Sequence, residues 1–529
     1  MLPVTENLEV ALRHMRSEEK GILYWIDAIC INQGNLQETS QQVMRMDSIF
    51  REAERVLIWL GPAANCSDAA MELVDRMSHL GNIDSLIKQP QAIYDWLALS
   101  TLMRRAWFSR RWVIQEVAFA REALVACGTK RTRWSNFADA VALYGDKFDD
   151  ISMLVGPEGT RQLISHVCRD VSAHGLVTVL NTVIRKSSNG RVMERLCTME
   201  TLVSITATFQ VSNPRDSVYA VMTLAKDSYL LVDDPVDYRK TLPQICKNLI
   251  FHSLITSGSL DIICRPWAPV DSALPSWVPQ VSHHAFGPDE TGRYRRINAD
   301  SLVGHPRRRV YNAARATQAL GNFSNNGQGL TLTVVGFQFD VIKSVEKPAL
   351  DGVVPFEWIE LLSQISGGQD SPSREVPDLL WRTLVADRGP DGNPPPVWYH
   401  RACEHLIYEN YSGKNTNWDT QELMERPVQR EPSSALLAFL RRIQSVVWNR
   451  TLMITETGAV GLVHNKAKAG DLICILFGCS VPVILRQYKD GCQEFIGECF
   501  VNNTQGVMDG QAMDRMEDGK YETREFNLR

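Results

Sequence analysis

The chain has 529 residues, with 56 Lys and Arg against 61 Asp and Glu and a net charge of −5. This balance gives no basic footprint for nucleic acid, and the triplet Arg307–Arg309 stands alone in an expected loop after His305-Pro306. Length alone amounts to about three domains, enough to bury sizeable cores without cross-links. The twelve cysteines show no zinc-site spacing, and the opening MLPVTENLEV lacks the basic flank and apolar core of a signal peptide. No uninterrupted apolar run reaches the roughly 18 residues of a membrane span. The expectation is a cytoplasmic globular protein with reduced thiols, no metal, no bound cofactor, no membrane span and no nucleic-acid partner.

In chain order, TENLEVALRHMR predicts a helix over Glu6–Arg16, and Ile22–Ala28 is apolar and aromatic enough for a buried strand broken only by Asp27. That run ends in Cys30, Ile31, Asn32 and Gln33 before Gly34 releases the backbone. Val43, Met46, Ile49, Phe50 and Ala53 recur at helical spacing over Glu38–Glu54, and Val56–Leu60 resumes as a strand closed by Gly61-Pro62. Together these make a βαβ unit whose polar groups sit at the carboxyl end of a strand, where open α/β sheets place ligands.

A further strand is expected at Ala123–Ala126, and the pattern from Trp134 to about residue 257 is helical, with Phe137, Val141 and Leu143 on one helix and Leu196, Met199, Leu202, Val203 and Ile205 on another. Residues 265–330 have weak periodicity and read as a long surface connection. LTLTVVGFQFDVI at 330–342 alternates as a strand, 350–400 is an interrupted linker with a helix near Phe356–Ile365, and 452–508 reads as short strands and turns. The expected division is an α/β module at 1–130, a helical middle region at 131–290, a connecting region at 291–450 with the strand at 330–342 and a helical insert, and a β-rich region at 451–529.

WIDAICINQ, Glu38, Gln42-Val43, Met46 and WLG resemble the signature of the fungal heterokaryon-incompatibility (HET) domain. WFSRRWVIQEVAFA at 107–120, Cys127-Gly128, NPRDSVYAVMTLAKD at 213–227, VDY at 236–238 and LPSWVP at 274–279 follow in the order of large HET-domain proteins. The segment from Gly458 through Gly470-Asp471, Leu485-Arg486, Gly497-Glu498 and Met508-Asp509-Gly510 is similar to their C-terminal region. The family's opening strand has no counterpart after Met1, which leaves either a misassigned start or a degenerate member. Gly34 and Thr39 stand where the family often has an acidic residue and an arginine.

Ser109, Trp112 and Glu116 have a spacing that also resembles Toll/interleukin-1-receptor-like (TIR) domains, some of which hydrolyse NAD. The resemblance implies a TIR-like or flavodoxin-like parallel sheet, here without its first strand. On a helix Trp112 and Glu116 lie one turn apart on one face, so the indole could stack on nicotinamide beside a carboxylate able to stabilise a ribosyl cation. The alternative places Trp112 in the core and pairs Glu116 with Arg110 or Arg111.

Asp27, Asn32 and Gln33 form a second candidate ligand set, or else hydrogen-bond the loop backbone. Cys30 is a reactive-thiol candidate or a buried structural thiol, since His14, the nearest histidine in sequence, has no motif linking it. Arg215-Asp216 reads as a helix start, and the histidines of HRACEH at 400–405 have the wrong spacing for a zinc helix.

The resemblance implies a fungal effector of non-self recognition and programmed cell death that assembles with itself or a protein partner, with NAD as a possible substrate. The alternatives are a non-enzymatic interaction module, an inactive truncated member, or an accessory or catalytic protein of a fungal secondary-metabolite gene cluster.

Overall fold

The computed structural model describes residues 4–16, 21–155, 172–228, 236–288, 294–325, 330–366, 376–410, 416–425, 433–502 and 506–529. It divides into two compact units, Met1–Ile245 and Cys246–Arg529. The helical segments between residue 134 and Ile245 therefore fold with the N-terminal module in a single unit.

The first unit opens with α1 (Glu6–Met15), capped where Thr5 accepts from the Leu8 N–H and steadied by an Arg13–Glu9 pair one turn apart. Next, α2 (Leu36–Val43) starts on Asn35, whose side chain accepts from the N–H groups of Gln37 and Glu38. α3 (Met46–Glu52) follows directly. The single helix expected over Glu38–Glu54 is thus two. Arg45 N–H bonds back three residues to Gln42, tightening the chain so that Met46 turns into the core and Met44 out to solvent.

β1 (Val56–Trp59) pairs in parallel with β2 (Ala123–Cys127), which pairs antiparallel with β3 (Lys130–Arg133). Between β1 and β2 run α4 (Ser67–Met77), α5 (Ile93–Leu102) and α6 (Val113–Phe119). Ala70, Met71, Leu73, Val74 and Met77 of α4 recur at helical spacing and are buried. After β3 come α7 (Trp134–Asp146), α8 (Ala173–Val183), the hairpin β4 (Ile184–Lys186) and β5 (Val192–Arg195), α9 (Met199–Ile205) and α10 (Asp216–Met222).

The strand expected over Ile22–Ala28 does not form. Residues 21–26 are irregular, Asp27–Cys30 is one helical turn, and Ile22 and Leu23 are 53% and 99% exposed. An apolar run becomes a strand only against a neighbour, and among the described residues β1 pairs with β2 alone. The first unit therefore has a three-stranded mixed sheet among the described residues, in place of the larger parallel sheet expected.

In the second unit, residues expected as a surface connection bury Trp267, Trp277, Val303, Tyr311 and Ala313. Weak periodicity there marks irregular backbone, not exposure. Short strands β6 (Phe286–Pro288), β7 (Tyr294–Arg296) and β8 (Gly321–Asn325) precede the long β9 (Leu330–Pro348), which contains the expected strand at 330–342. β10 (Val353–Val354) and β11 (Trp418–Asp419) make a two-residue ladder, and α11 (Phe356–Ile365) occupies the residues expected for it.

From Arg450 onward the chain is strand-rich as expected: β12 (Arg450–Thr455), β13 (Val460–His464), β14 (Leu472–Leu476), β15 (Val483–Gln487), β16 (Gln493–Glu498), β17 (Phe500–Asn502) and β18 (Thr523–Leu528). β9 pairs successively with β18, β14 and β12, so β9, β14, β15, β16 and β18 close on themselves around Phe337, Phe339, Ile473, Ile475 and Ile484. Gly336 permits the closure, because a Cβ there would lie 2.3 Å from the Ile475 carbonyl oxygen.

Candidate functional site

The site is built on α6 in the first unit. Arg111 enters the helix buried, and its guanidinium donates to the carbonyls of Ser217 (2.7 Å) and Ala207 (3.0 Å). Desolvation brings this guanidinium down to about 10 against the opposing effect of Asp216. Trp112 is the N-cap residue and half-buried, and its indole N–H donates to Asp216 Oδ2 at 2.9 Å. Asp216 Oδ1 accepts from the Tyr238 hydroxyl at 2.7 Å. At the other end of α6, Lys186 Nζ donates to the carbonyls of Val117 (2.9 Å) and Ala120 (2.7 Å), capping the helix carboxyl end with a cation. The helix is held at both ends by residues that follow it by many positions in the chain.

Glu116 lies in the first turn of this helix, one turn from Trp112, and is mostly buried. No hydrogen bond or ion pair among the described residues holds its carboxylate. Burial pushes the carboxyl up to about 7, while the Arg110 guanidinium pulls it down and the Asp27 carboxylate pushes it further up. The pairing of Glu116 with Arg110 or Arg111 weighed from the sequence is thus not formed as a close contact. Arg110 acts on Glu116 at longer range, and Arg111 is committed to backbone carbonyls. Asp27 and Glu116, 89 positions apart in the chain, are near enough for one charge to act on the other.

The remaining candidates sit as follows. Ser109 is buried and donates to the Ala106 carbonyl at 2.8 Å and to Gln210 Oε1 at 3.4 Å, in a turn that also joins its carbonyl to the Gln210 N–H. It is a turn-fixing hydroxyl. Asp27 is exposed and accepts from the Ala28 N–H at 2.8 Å. Asn32 accepts from the Gly34 N–H at 3.2 Å, and its own N–H reaches Glu38 at 2.9 Å. Gln33 donates to the Asp27 carbonyl at 3.4 Å. Cys30 is exposed and not the buried thiol weighed above, and His14 is engaged elsewhere, bonded to the Val10 carbonyl and against the Trp59 ring.

Among the described residues no cluster of three or more His, Cys, Asp or Glu side chains could hold a metal ion, and no helix is long and apolar enough to cross a membrane.

Sequence reasoning missed Asp216 and Tyr238 as site residues. The available signal was that NPRDSVY and VDY belong to the same ordered set of motifs as WFSRRWVIQE. All three meet at the Asp216 carboxylate.

The family model for "Heterokaryon incompatibility protein (HET)" matches residues 1–116, ending on Glu116 itself. The chain is 32% identical to heterokaryon incompatibility protein 6, OR allele, of Neurospora crassa, over 98% of this chain and 86% of that protein. No solved structure matches the chain. With sequence similarity of this extent running through both units, the chain belongs to the heterokaryon incompatibility (HET) family.

Proposed function

We propose that this protein acts in heterokaryon incompatibility, as an effector that turns recognition of non-self into growth arrest and cell death, and that its first unit does so by cleaving NAD. The biological role rests on the Neurospora relative's similarity over nearly the whole chain. The chemical reading rests on one observation: Glu116 is a mostly buried carboxylate with no close partner, raised to about 7 beside Asp27 and one helical turn from Trp112.

In this reading Trp112 stacks on the nicotinamide ring and ionised Glu116 stabilises the ribosyl cation formed as the glycosidic bond to nicotinamide breaks. Water then adds to the cation, giving ADP-ribose and a proton. Asp27, placed to act on Glu116, favours a ligand with positive charge. Asn32 and Gln33 shape the loop that carries Asp27. The resemblance to TIR domains belongs to the same proposal. Incubating the purified chain with NAD and measuring released nicotinamide tests it, and absence of release at substrate and enzyme concentrations where a TIR hydrolase turns over would reject the enzymatic reading.

The second reading, a non-enzymatic module that assembles with itself or a protein partner, is favoured by the exposure of Ile22 and Leu23 side by side. Size-exclusion chromatography with light scattering of the parent and of Leu23→Asp discriminates it. An apolar contact through this segment is lost in the variant, and identical profiles count against it.

A further inference from the structure

We infer that Asp216 is a positioning residue, holding the Trp112 ring by its indole N–H and so fixing the face that the proposed site offers to its ligand. The inference rests on the preceding reading of Trp112 and Glu116. It goes beyond that reading in assigning a role to a residue outside the span matched by the family model.

A carboxylate at the first position of a helix ordinarily serves its own helix, by capping or by its charge near the positive end of the dipole. Asp216 does something else with both oxygens. Oδ2 takes the Trp112 indole N–H at 2.9 Å and Oδ1 takes the Tyr238 hydroxyl at 2.7 Å. The adjoining backbone turn is served by Asn213, whose side chain accepts from the Arg215 N–H at 3.1 Å. Asp216 is 7% exposed, so these are bonds in a poorly solvated setting, where losing one leaves a polar atom without compensation.

The network beyond Asp216 is also fixed. The Tyr238 ring stands edge-on to Tyr219 at 5.3 Å, and the Tyr238 backbone N–H donates to Ser40 Oγ on α2 at 3.2 Å. The helix that follows the Asp27–Gln33 loop and the helix that carries Glu116 are thereby tied to one carboxylate. An indole has a single polar atom. Held there, the ring cannot turn about its second side-chain torsion without breaking a charge-assisted hydrogen bond. Arg111, next in the chain, anchors the same helix start to the Ser217 carbonyl beside Asp216.

The test compares the parent with Asp216→Asn, Trp112→Phe and the double variant. Asparagine keeps the size of the side chain but loses the charge and one of its acceptor oxygens. If Asp216 acts through Trp112, Asp216→Asn raises KM for NAD at least tenfold with a smaller change in kcat, and the double variant is no worse than Trp112→Phe alone. Losses that multiply, or an unchanged KM, overturn the inference.

A second readout needs no turnover. In protein labelled with 5-fluorotryptophan, the Trp112 resonance, assigned by its loss in Trp112→Phe, is expected as one sharp line that shifts or broadens in Asp216→Asn and stays in place in Glu116→Gln. A line unmoved by Asp216→Asn overturns the positioning role. If the parent releases no nicotinamide, the catalytic reading fails while the fluorine line still decides for or against positioning. Should Asp216→Asn not fold, Asp216→Glu, which keeps the charge but displaces it by one methylene, is read the same way.

Discussion

The indole nitrogen of Trp112 and Oδ2 of Asp216 lie 2.9 Å apart across 104 residues of chain. This contact joins the end of the span matched by the family model to a motif that lies well beyond it. Glu116, Trp112, Asp216 and Lys186 thus belong to one folded object, and the consequences of altering α6 can be stated separately for chemistry and for stability.

Glu116→Gln separates the two. If the carboxylate stabilises a ribosyl cation, the variant loses about 10²-fold or more in nicotinamide release. Its stability moves the other way from the loss of an ion pair. The folded carboxyl is raised from 4.5 to about 7, so the parent is stabilised least where Glu116 is forced to ionise: stability falls as pH rises from about 4.5 to about 7 and is flat above. At pH 8 Glu116→Gln is therefore expected to be as stable as the parent or more so, by up to about 3 kcal/mol. Denaturant unfolding at pH 5 and pH 8 checks this, and a variant destabilised at pH 8 contradicts it. If Glu116 is that carboxylate, the same ionisation sets the pH profile of nicotinamide release, with kcat/KM rising through pH 7 as Glu116 loses its proton.

Lys186→Met removes the two donors that cap α6. The carbonyls of Val117 and Ala120, in buried residues, lose this donor, and the expected loss is about 1–3 kcal/mol. Burial brings the lysine down to about 8 from 10.5, so its charged form is disfavoured on folding and the parent gains stability as pH rises from about 8 to 10.5. The variant lacks that gain. Melting temperatures at pH 7 and pH 10 measure both effects, and parallel curves for the two proteins would refute the second.

In the strand-rich unit, Gly336→Ala is expected to cost more than about 2 kcal/mol, because the added methyl meets the backbone of β14 and neither strand can give way without disturbing the closure. Denaturant unfolding of parent and variant under identical conditions checks this, and an unchanged midpoint contradicts it.

Arg450→Met in the same unit breaks a 2.7 Å ion pair with Glu498, whose oxygens also accept from the N–H groups of Leu302 and Val303. Both partners are shielded from water, so an unpaired Glu498 is left in a poorly solvated site and the expected loss is about 3–5 kcal/mol. A loss under about 1 kcal/mol by chemical denaturation would show that the pair behaves as an exposed one.

How far the sequence could be read depended on the range of the interactions involved. The helix at Phe356–Ile365 and the strand at 330–342 were legible because their periodicities are local and their burial follows from them. Ile22–Ala28 was misread because an apolar run carries no record of whether a partner strand stands beside it. The surface connection expected over residues 265–330 fails for the converse reason, since backbone without period can still bury Trp267 and Trp277. Trp112 and Glu116 lie one turn apart on one helix, as their spacing predicts, whereas Asp216 shows in the sequence only its position at a helix start. Its bond to Trp112 is a long-range fact that a single sequence does not contain.

The way α6 is clamped at both ends also bears on inheritance. A recombinant that takes residues 1–130 from one member of the family and the rest from another receives Trp112 from one parent and Asp216, Tyr238 and Lys186 from the other. Where the second parent lacks matching groups, the helix keeps its sequence but loses its bearings. Variation that leaves α6 untouched can then displace it from a distance of about a hundred residues.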